Sequence, residues 1–402
     1  MQGENGKMKS DLEQTEIEAP YELPEGWKWV QQNEVCKLTD GEKRTGTEFP
    51  YLEVKYLRGK KEKDFVSIGK FIKAGTKVIL VDGENSGEVF TVPEDGFMGS
   101  TFKALEISNV NENYLQYFIH TKKDLYRNNK KGSAIPHLDK KLFFTMPFPL
   151  PPTLAEQQRI VNRIESMFAK LDEAKEKAQN VVDGFETRKA AILHKAFTGE
   201  LTAKWRKENG VSDDSWEEKR FDEVADIKSN LVDVAEFQDF PHIAPDNIEK
   251  KTGVLLEYHT VAEDKVKSGK HRFYAGQILY SKIRPYLSKV VVVDFDGVCS
   301  ADMYPIEAKG NTRFLWYQML SNEFLDKASN SGSRSVLPKI NQKELSIIPM
   351  RICSLPEQQE IVRILDSVLE KESRAKEAAQ TVLDQIALLK KSILARAFRG
   401  EL

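Results

Sequence analysis

Four basic stretches are the part of this sequence whose residue types and spacing best fit a chemical task. KYLRGKKEK at 55–63 and KKDLYRNNKK at 122–131 each hold five basic residues and one acidic residue, a net charge of +4. KVKSGKHR at 265–272 and SKIRPYLSK at 281–289 combine lysine and arginine with serine or tyrosine. Lysine and arginine neutralise phosphates, and arginine and serine also hydrogen-bond base edges. The stretches therefore predict contact with duplex DNA. The alternative is that they are ordinary solvated faces.

The side chains best suited to contact DNA are the basic and hydroxyl-bearing ones in these stretches and in two nearby turns. They are Arg58, Lys60, Lys61, Arg127, Lys130 and Ser133 in the first half of the chain, and Lys282, Arg284, Tyr286, Ser333 and Arg334 in the second half. Ser133 and Ser333 follow glycines in turns that could offer backbone N–H groups to a phosphate, although a structural turn explains them equally well. Tyr286 could stack on a base or belong to the core, and its sequence context does not separate the two.

The usual signatures of catalysis are missing from the sequence. It has no G-x-x-x-x-G-K-[ST] phosphate loop, no G-x-G-x-x-G after a strand, no H-E-x-x-H, no G-x-S-x-G and no [DNS]-P-P-[YFW] of amino-methyltransferases. The six histidines are scattered without metal-ligand spacing, so neither a metal nor another cofactor is expected. The sequence thus favours a protein without catalysis of its own, and an enzyme with a hidden site is the competing interpretation.

Length and composition limit the class of protein further. The 402 residues correspond to two or three domains at ~150 residues each. The formal net charge is only −2, with a pI near 6.4, so any contact with nucleic acid must come from local patches. Three widely spaced cysteines and the absence of an apolar run of ~20 residues predict a cytoplasmic protein without membrane contact. Residues 1–20 are predicted to be a flexible tail.

The chain contains a strong internal repeat. Residues 154–201 align without a gap on residues 355–402, an offset of 201 that is half of the 402 residues, and about half of the aligned positions are identical. Apolar residues recur at three- and four-residue steps through both copies, which predicts two long helices. Thr153 is a candidate N-cap of the first helix with Glu156 as its capping-box partner, and Gly199 and Gly400 are candidate C-terminal stops.

A long helix must bury its apolar stripe, and the other copy is the obvious partner. A compact domain between the two helices returns the chain to its starting point, so the helices should run antiparallel and form a coiled coil with a pseudo-two-fold axis. The predicted fold is α/β, with two mixed α/β domains joined by the two helices. The predicted segments are a tail at 1–20, domain 1 at 21–152, long helix 1 at 153–201, a linker at 202–214, domain 2 at 215–354 and long helix 2 at 355–402.

Short motifs at the ends of these segments resemble one known family. They are P-L-P-P-x-x-x-E-Q-Q-x-I-V at the start of the first helix, its counterpart L-P-E-Q-Q in the second copy, A-F-x-G-E-L at both helix ends, L-T-A-K-W-R at 201–206 and L-P-E-G-W at 23–27. Together they look like the specificity subunit of type I restriction-modification systems. The resemblance covers nearly the whole chain from Leu23 onward.

The resemblance implies two target recognition domains, each reading one half of a bipartite DNA site, and no catalysis by this chain. It also implies that the helices dock two modification subunits, which use S-adenosylmethionine to methylate adenine, and that the assembly recruits two ATP-dependent restriction subunits. The polar residues at the helix starts are candidates for partner contact, with helix capping as the alternative: Glu156, Gln157, Gln158, Glu357, Gln358 and Gln359. A coiled-coil adaptor that binds only proteins remains the alternative to DNA reading.

Overall fold

The computed structural model describes residues 19–130, 136–330 and 338–402 and divides the chain into two compact units. Unit 1 comprises Met1–Ala178 and Thr381–Leu402, and unit 2 is Gln179–Gln380. Both units combine strands and helices, so the predicted mixed α/β class with two domains is confirmed. The tail predicted at 1–20 lies, except for its last two residues, outside the described residues.

The strands of unit 1 form three small sheets. They are β1 (Lys28–Gln31), β2 (Cys36–Thr39), β3 (Glu42–Leu52), β4 (Phe65–Ile72), β5 (Lys77–Leu80), β6 (Val89–Thr91), β7 (Gly96–Met98), β8 (Phe102–Ile107) and β9 (Pro147–Leu150). One sheet has the order β2-β8-β5-β6, a second pairs β1 with β9, and β3, β4 and β7 all pair with one another. The runs KVILV at 77–81 and EVFTV at 88–92, rich in β-branched residues, predict two strands, and the structure confirms them as β5 and β6.

The strands of unit 2 form a similar set. They are β10 (Glu217–Arg220), β11 (Ala225–Ile227), β12 (Leu231–Val232), β13 (Pro241–Ile243), β14 (His259–Thr260), β15 (Lys270–Phe273), β16 (Ile278–Ser281), β17 (Val290–Val292), β18 (Gly297–Cys299), β19 (Met303–Ala308) and β20 (Pro349–Ile352). The sheet β11-β19-β16-β17 has the order of β2-β8-β5-β6 in unit 1, and β10 pairs with β20 as β1 pairs with β9. The remaining sheet has the order β12-β15-β18-β13-β14.

The helices range from one turn to forty-four residues. They are α1 (Val54–Leu57), α2 (Glu112–Thr121), α3 (Lys123–Asn128), α4 (Lys140–Thr145), α5 (Leu154–Asp183), α6 (Phe185–Thr198), α7 (Ala203–Glu208), α8 (Phe221–Val224), α9 (Thr312–Met319), α10 (Asn322–Asn330), α11 (Gln342–Ser346) and α12 (Leu355–Phe398). The spacing of apolar residues predicts one helix at 111–128 and one at 312–328, and the structure has both, each divided into two shorter helices. Asn111 and Asn311 cap α2 and α9 through their side-chain oxygens.

The first long helix begins and ends at the predicted signals but has one interruption. The hydroxyl of Thr153 accepts a hydrogen bond from the backbone N–H of Glu156 at 3.1 Å, which confirms the predicted cap. Gly199, at φ +86°, ends α6 in the left-handed conformation, as predicted. Gly184 separates α5 from α6, where the sequence predicted one continuous helix. A Cβ at Gly184 would lie 2.4 Å from Arg188 Nη1, so the glycine leaves room for that guanidinium to donate to the Val181 carbonyl.

The second long helix, α12, is uninterrupted over 44 residues, about 66 Å. In unit 1 its last part runs antiparallel to the start of α5, because Lys390 pairs with Asp172 at 2.6 Å and Arg159 donates to the Leu402 carbonyl at 2.9 Å. No helix among the described residues combines the length and the apolarity that a membrane span requires.

In unit 2 the first part of α12 runs antiparallel to α6. Arg188 pairs with Glu372 at 2.7 Å, and the ammonium of Lys376 lies 4.5 Å from the centre of the Phe185 ring. As the residue number rises along α6, the number of its partner on α12 therefore falls. Unit 2 repeats the direction of helix pairing that unit 1 shows between α5 and the end of α12.

Each unit buries parts of both long helices in the core of its own domain. In unit 1, Ile160 and Ile164 of α5 and Phe398 of α12 pack with Tyr114 and Phe118 of α2. In unit 2 the same arrangement is made by residues of α6, α12 and α9, namely Leu193, Phe197, Ile361, Leu365 and Phe314. Burial of this apolar surface fixes the domains to the helices.

The segment predicted as a linker, 202–214, is partly helical and partly buried. It contains α7, and Thr202 and Arg206 are buried in unit 2. Arg206 donates to the Glu357 carboxylate and to the Gly199 carbonyl, at 2.7 and 2.8 Å. This segment therefore belongs to the packed structure of unit 2, because a buried guanidinium needs these partners.

Candidate nucleic-acid interface

In unit 1 two of the predicted DNA-contacting residues, Arg58 and Lys130, meet around one connection, residues 81–88 between β5 and β6. Arg58, at the end of α1, pairs with Glu88 of this connection. Lys130, which follows α3, pairs with Glu84 at 2.6 Å, and Lys123 lies 3.7 Å from Glu88. The two basic stretches of the first half, far apart in sequence, therefore converge on one loop. Ser133 lies outside the described residues.

Lys60 and Lys61 follow α1 and differ in whether a carboxylate pairs with their ammonium group. Both are exposed, and Lys60 has no carboxylate partner among the described residues. Lys61 donates to Asp64 and Glu53, and these hydrogen bonds raise the pKa of its ammonium group. Because two carboxylates already neutralise Lys61, Lys60 is the better candidate for a phosphate contact.

Arg127 lines a basic groove in unit 1 that the sequence did not predict. The groove has a volume of about 660 Å³, and its cations are Lys122, Lys123, Arg127, Lys390, Lys391 and Arg399. Lys122 lies 5.3 Å from the centre of the Phe118 ring, and burial lowers the pKa of its ammonium group. Lys390 and Lys391, near the end of α12, were not among the predicted DNA contacts. Their spacing with Arg399 on the last turns of a helix is the signal that could have found them.

In unit 2 the candidates lie on the connection at 282–289 between β16 and β17, at the place that residues 81–88 occupy in unit 1. Tyr286 is 47% exposed, so it is not a core residue. Arg284 is exposed. The ammonium group of Lys282 is less available for a DNA contact, because it donates to the Ala301 carbonyl and lies 5.5 Å from the centre of the Tyr304 ring. Ser333 and Arg334 lie outside the described residues.

The basic stretch at 265–272 is partly internal. Lys270 is buried and donates to the Ser268 hydroxyl at 2.7 Å. The guanidinium of Arg272 lies 5.0 Å from the ring centres of both Phe237 and Tyr274. Two of the basic residues in this stretch therefore pack inside unit 2, where cation–π contact stabilises Arg272, and do not form a free basic face.

The structure buries three of the six residues that were predicted to contact partners at the helix starts. Gln157 is buried, and its side chain accepts from the backbone N–H of Asn111 at 2.7 Å and donates to the Pro151 carbonyl at 3.4 Å. Gln358 is also buried and makes the corresponding bonds to Asn311 and Cys353, at 3.1 and 2.8 Å. Each glutamine ties a long helix to the capped helix of its own domain. These side chains are not available to a partner because their polar groups are used internally.

Glu357 is the third buried residue among those predicted to contact a partner, and it lies inside unit 2. It is 0% exposed, and one carboxylate oxygen accepts hydrogen bonds from Arg206, Thr202 and Trp216. The remaining candidates are accessible: Gln158 and Gln359 are exposed, and Glu156 is half-buried and pairs with Arg159. Capping and packing thus account for half of the six predicted contact residues.

No metal centre is found in the part of the chain that the structure describes. Histidine, cysteine, aspartate and glutamate side chains do not gather there in groups of three or more that could hold an ion. Cys36, Cys299 and Cys353 are all buried, and burial raises the pKa of the Cys36 thiol to about 12. A thiol that is protonated at neutral pH is a poor nucleophile.

Comparison with known proteins gives a consistent result. A family model described as type I restriction modification DNA specificity domain matches residues 24–182 and 213–382. The chain is 34% identical over 403 aligned residues to the type I restriction enzyme EcoDI specificity subunit of Escherichia coli, covering 94% of this chain and 89% of that protein. It is 31% identical over 222 residues to the MjaVIII specificity subunit of Methanocaldococcus jannaschii, covering 52% and 51% of the two chains.

Two solved structures share the fold. One, described as the structural basis underlying complex assembly and conformational transition of the type I R-M system, has a TM-score of 0.70 at 18% identity and covers 95% of this chain and 100% of that chain. The other, the HsdS subunit from Thermoanaerobacter tengcongensis, has a TM-score of 0.63 at 19% identity and covers 96% and 100%.

Proposed function

Because this chain belongs to the specificity subunits of type I restriction-modification systems, we propose that each of its two domains reads one half of a bipartite DNA target. Subunits of this class recognise DNA sequence, and catalysis lies in other subunits of the complex. The observation that carries the proposal is that predicted DNA contacts gather around the same strand connection in both units, 81–88 and 282–289. Arginine and lysine at such loops can contact both phosphates and base edges.

We further propose that the long helices form an antiparallel coiled coil that sets the distance between the two half-sites. The antiparallel contacts of α5 with α12 in unit 1, and of α6 with α12 in unit 2, support this arrangement. A helix of about 66 Å corresponds to at most about 19 base pairs at ~3.4 Å per pair. The half-sites themselves should be closer, with a non-specific spacer of about one helical turn of DNA between them.

The partners follow from the same proposal. Two modification subunits would dock on the outward faces of the helices and methylate adenine with S-adenosylmethionine, and two ATP-dependent restriction subunits would join the assembly. Of the polar residues predicted for docking, Glu156, Gln158 and Gln359 are the accessible ones. A docking surface along helices needs solvent-facing polar and apolar positions, which both long helices offer.

Methylation mapping tests the proposed function directly. Cells carrying this chain with its modification partner should contain methylated adenines within one two-part motif, its halves separated by a fixed number of unspecified base pairs. The same cells with the modification partner alone should lack that motif. A single uninterrupted motif, or an unchanged methylation pattern when this chain is deleted, would contradict the proposal.

Salt dependence separates DNA reading from the adaptor alternative. Alanine at Lys60, Lys61, Lys282 and Arg284 should lower DNA affinity and reduce the slope of log K against log salt by about 1 for each phosphate that the variant no longer neutralises. Lys61 should contribute least, because two carboxylates already hold it. Alanine at four exposed lysines of the helices, Lys175, Lys177, Lys204 and Lys207, removes the same formal charge and should leave the slope unchanged. Equal slopes for the wild type and for both alanine variants would favour the alternative that the chain is an adaptor that binds only proteins.

A further inference from the structure

The connection between β5 and β6 and the connection between β16 and β17 share two backbone hydrogen bonds to the segment that follows the adjacent helix pair. In unit 1 the N–H of Gly83 donates to the Pro136 carbonyl at 2.7 Å, and that of Leu138 to the Val81 carbonyl at 2.8 Å. In unit 2, Arg284 N–H donates to Pro338 at 2.7 Å, and Ile340 N–H to Lys282 at 2.9 Å. The two units therefore build one turn twice, with Arg284 at the position of Gly83.

The turn requires left-handed backbone at two positions, and the two copies fill them differently. Gly83 and Gly87 have φ of +102° and +95° in unit 1. The corresponding residues of unit 2, Arg284 and Ser288, have φ of +49° and +45°. Glycine adopts such angles freely, whereas a residue with a Cβ is strained there. Two of the five non-glycine residues with positive φ among the described residues thus lie four positions apart in this turn.

The fold gives no reason for the arginine. Unit 1 makes the same turn with glycine, so the side chain is not needed to form it. Arg284 is exposed, and its guanidinium has no hydrogen bond or ion pair within residues 19–130, 136–330 and 338–402. Lys282, by contrast, is held by the Ala301 carbonyl. Strain that is kept at an exposed residue without structural partners is typical of functional positions.

We infer that Arg284 is a specificity-determining residue that reads a guanine in the half-site recognised by unit 2. The inference rests on the proposed function. Arginine presents a planar pair of donors that matches O6 and N7 of guanine in the major groove, the commonest specific contact between protein and DNA. Tyr286, 47% exposed two residues further on, lies on the same loop and can contact the neighbouring sugar or base. Unit 1 has no counterpart at Gly83, so it reads its half-site with other residues.

Arg284→Gly tests this inference, because it places in unit 2 the residue that unit 1 uses. The melting temperature of the complex with the modification partner should be no lower than that of the wild type, since relief of strain offsets the added freedom of glycine. Discrimination at one G·C pair of one half-site should fall about 10- to 100-fold in the methylation map. The other half-site should be unchanged.

Two further variants keep the result interpretable. Arg284→Lys keeps the charge but not the paired donors, so it should keep the salt slope and lose most of the discrimination. Ser288→Gly relieves the strain at the other position and should leave the target unchanged. The inference is overturned if Arg284→Gly methylates the wild-type motif with wild-type discrimination, if it relaxes a position other than a G·C pair, or if it lowers stability and all methylation together. Absence of a two-part motif in the wild type would instead overturn the proposed function.

Discussion

Replacing Glu357 by alanine should lower the free energy of unfolding of unit 2 by about 3–5 kcal/mol, the usual cost of removing one partner from a buried ion pair. Glu357 is 0% exposed, and its carboxylate accepts from Arg206 at 2.7 Å and from the Thr202 hydroxyl at 2.7 Å. Without it, the buried guanidinium of Arg206 keeps three partners among the described residues, the Gly199 carbonyl, Thr202 and the exposed Asp213. Urea denaturation of the full chain, followed by tryptophan fluorescence, measures the loss.

The repeat supplies the matched control for this experiment. Glu156 occupies the aligned position at the start of α5, but it is partly exposed and pairs only with Arg159, three residues away. Glu156→Ala should therefore cost no more than about 1 kcal/mol. Glu357→Gln keeps the shape and part of the hydrogen bonding and should lie between the two. Equal losses in the free energy of unfolding at Glu156 and Glu357 would show that the buried ion pair stabilises the chain no more than the exposed one.

Shortening the helices by one heptad should change the spacing of the DNA target. Within unit 1, residues 171–177 of α5 lie opposite residues 384–390 of α12, because Asp172 pairs with Lys390. Deleting both segments keeps the apolar stripe in register and removes about 10 Å, or about 3 base pairs. Methylation mapping should show a spacer that is shorter by about this amount, or no methylation if the new helical phase of the DNA cannot be accommodated.

Deleting only one of the two segments controls for loss of helix length alone. The single deletion shifts the α5–α12 pairing by seven residues over one part of unit 1, so it should destabilise the chain rather than yield a new spacer. A double-deletion variant that methylates the wild-type motif with its original spacer would refute the proposal that the helices set the distance.

Much of the fold could be predicted because the sequence repeats itself. Periodic apolar residues predict both long helices, and runs rich in β-branched and aromatic residues at 77–81, 88–92, 277–281 and 289–295 predict β5, β6, β16 and β17. The interruption at Gly184 could not be predicted, because helices tolerate single glycines and the reason is the position of the Arg188 side chain. The helix in the segment at 202–214 was missed because its polar composition resembles a linker.

The polar helix starts show where reasoning from one sequence fails. Glutamate and glutamine at 156–158 and 357–359 look like a solvent-facing surface, since such residues are seldom fully buried. Glu357 is buried because Arg206, 151 residues away in sequence, lies beside it in unit 2. Contacts of such sequence separation leave no local pattern. The signal was in the repeat itself, because polar residues kept at both helix starts point to a common internal contact.

The candidate site was predicted in its residue types but not in its electrostatic detail. The sequence predicted cations at 55–63, 122–131 and 281–289, and the structure brings Arg58 and Lys130 of the first two stretches to the connection 81–88. Neutralisation of Lys61 by Asp64 and Glu53 depends on the turn after α1, and the groove around Arg127 depends on the end of α12. Both follow from tertiary packing, which residue spacing alone does not encode.

The buried glutamines Gln157 and Gln358, which attach each domain to a long helix, bear on how such proteins acquire new targets. Gln157 and Gln358 fasten each domain to its own helix through the same pair of bonds, to the N-cap residue of a domain helix and to a carbonyl just before the long helix. A gene segment that encodes one domain can therefore be exchanged at these attachment points without redesign of the junction. Under the proposed function, we expect recombination at these points to give a new DNA preference in one step, while the helix surfaces proposed to dock the other subunits stay the same.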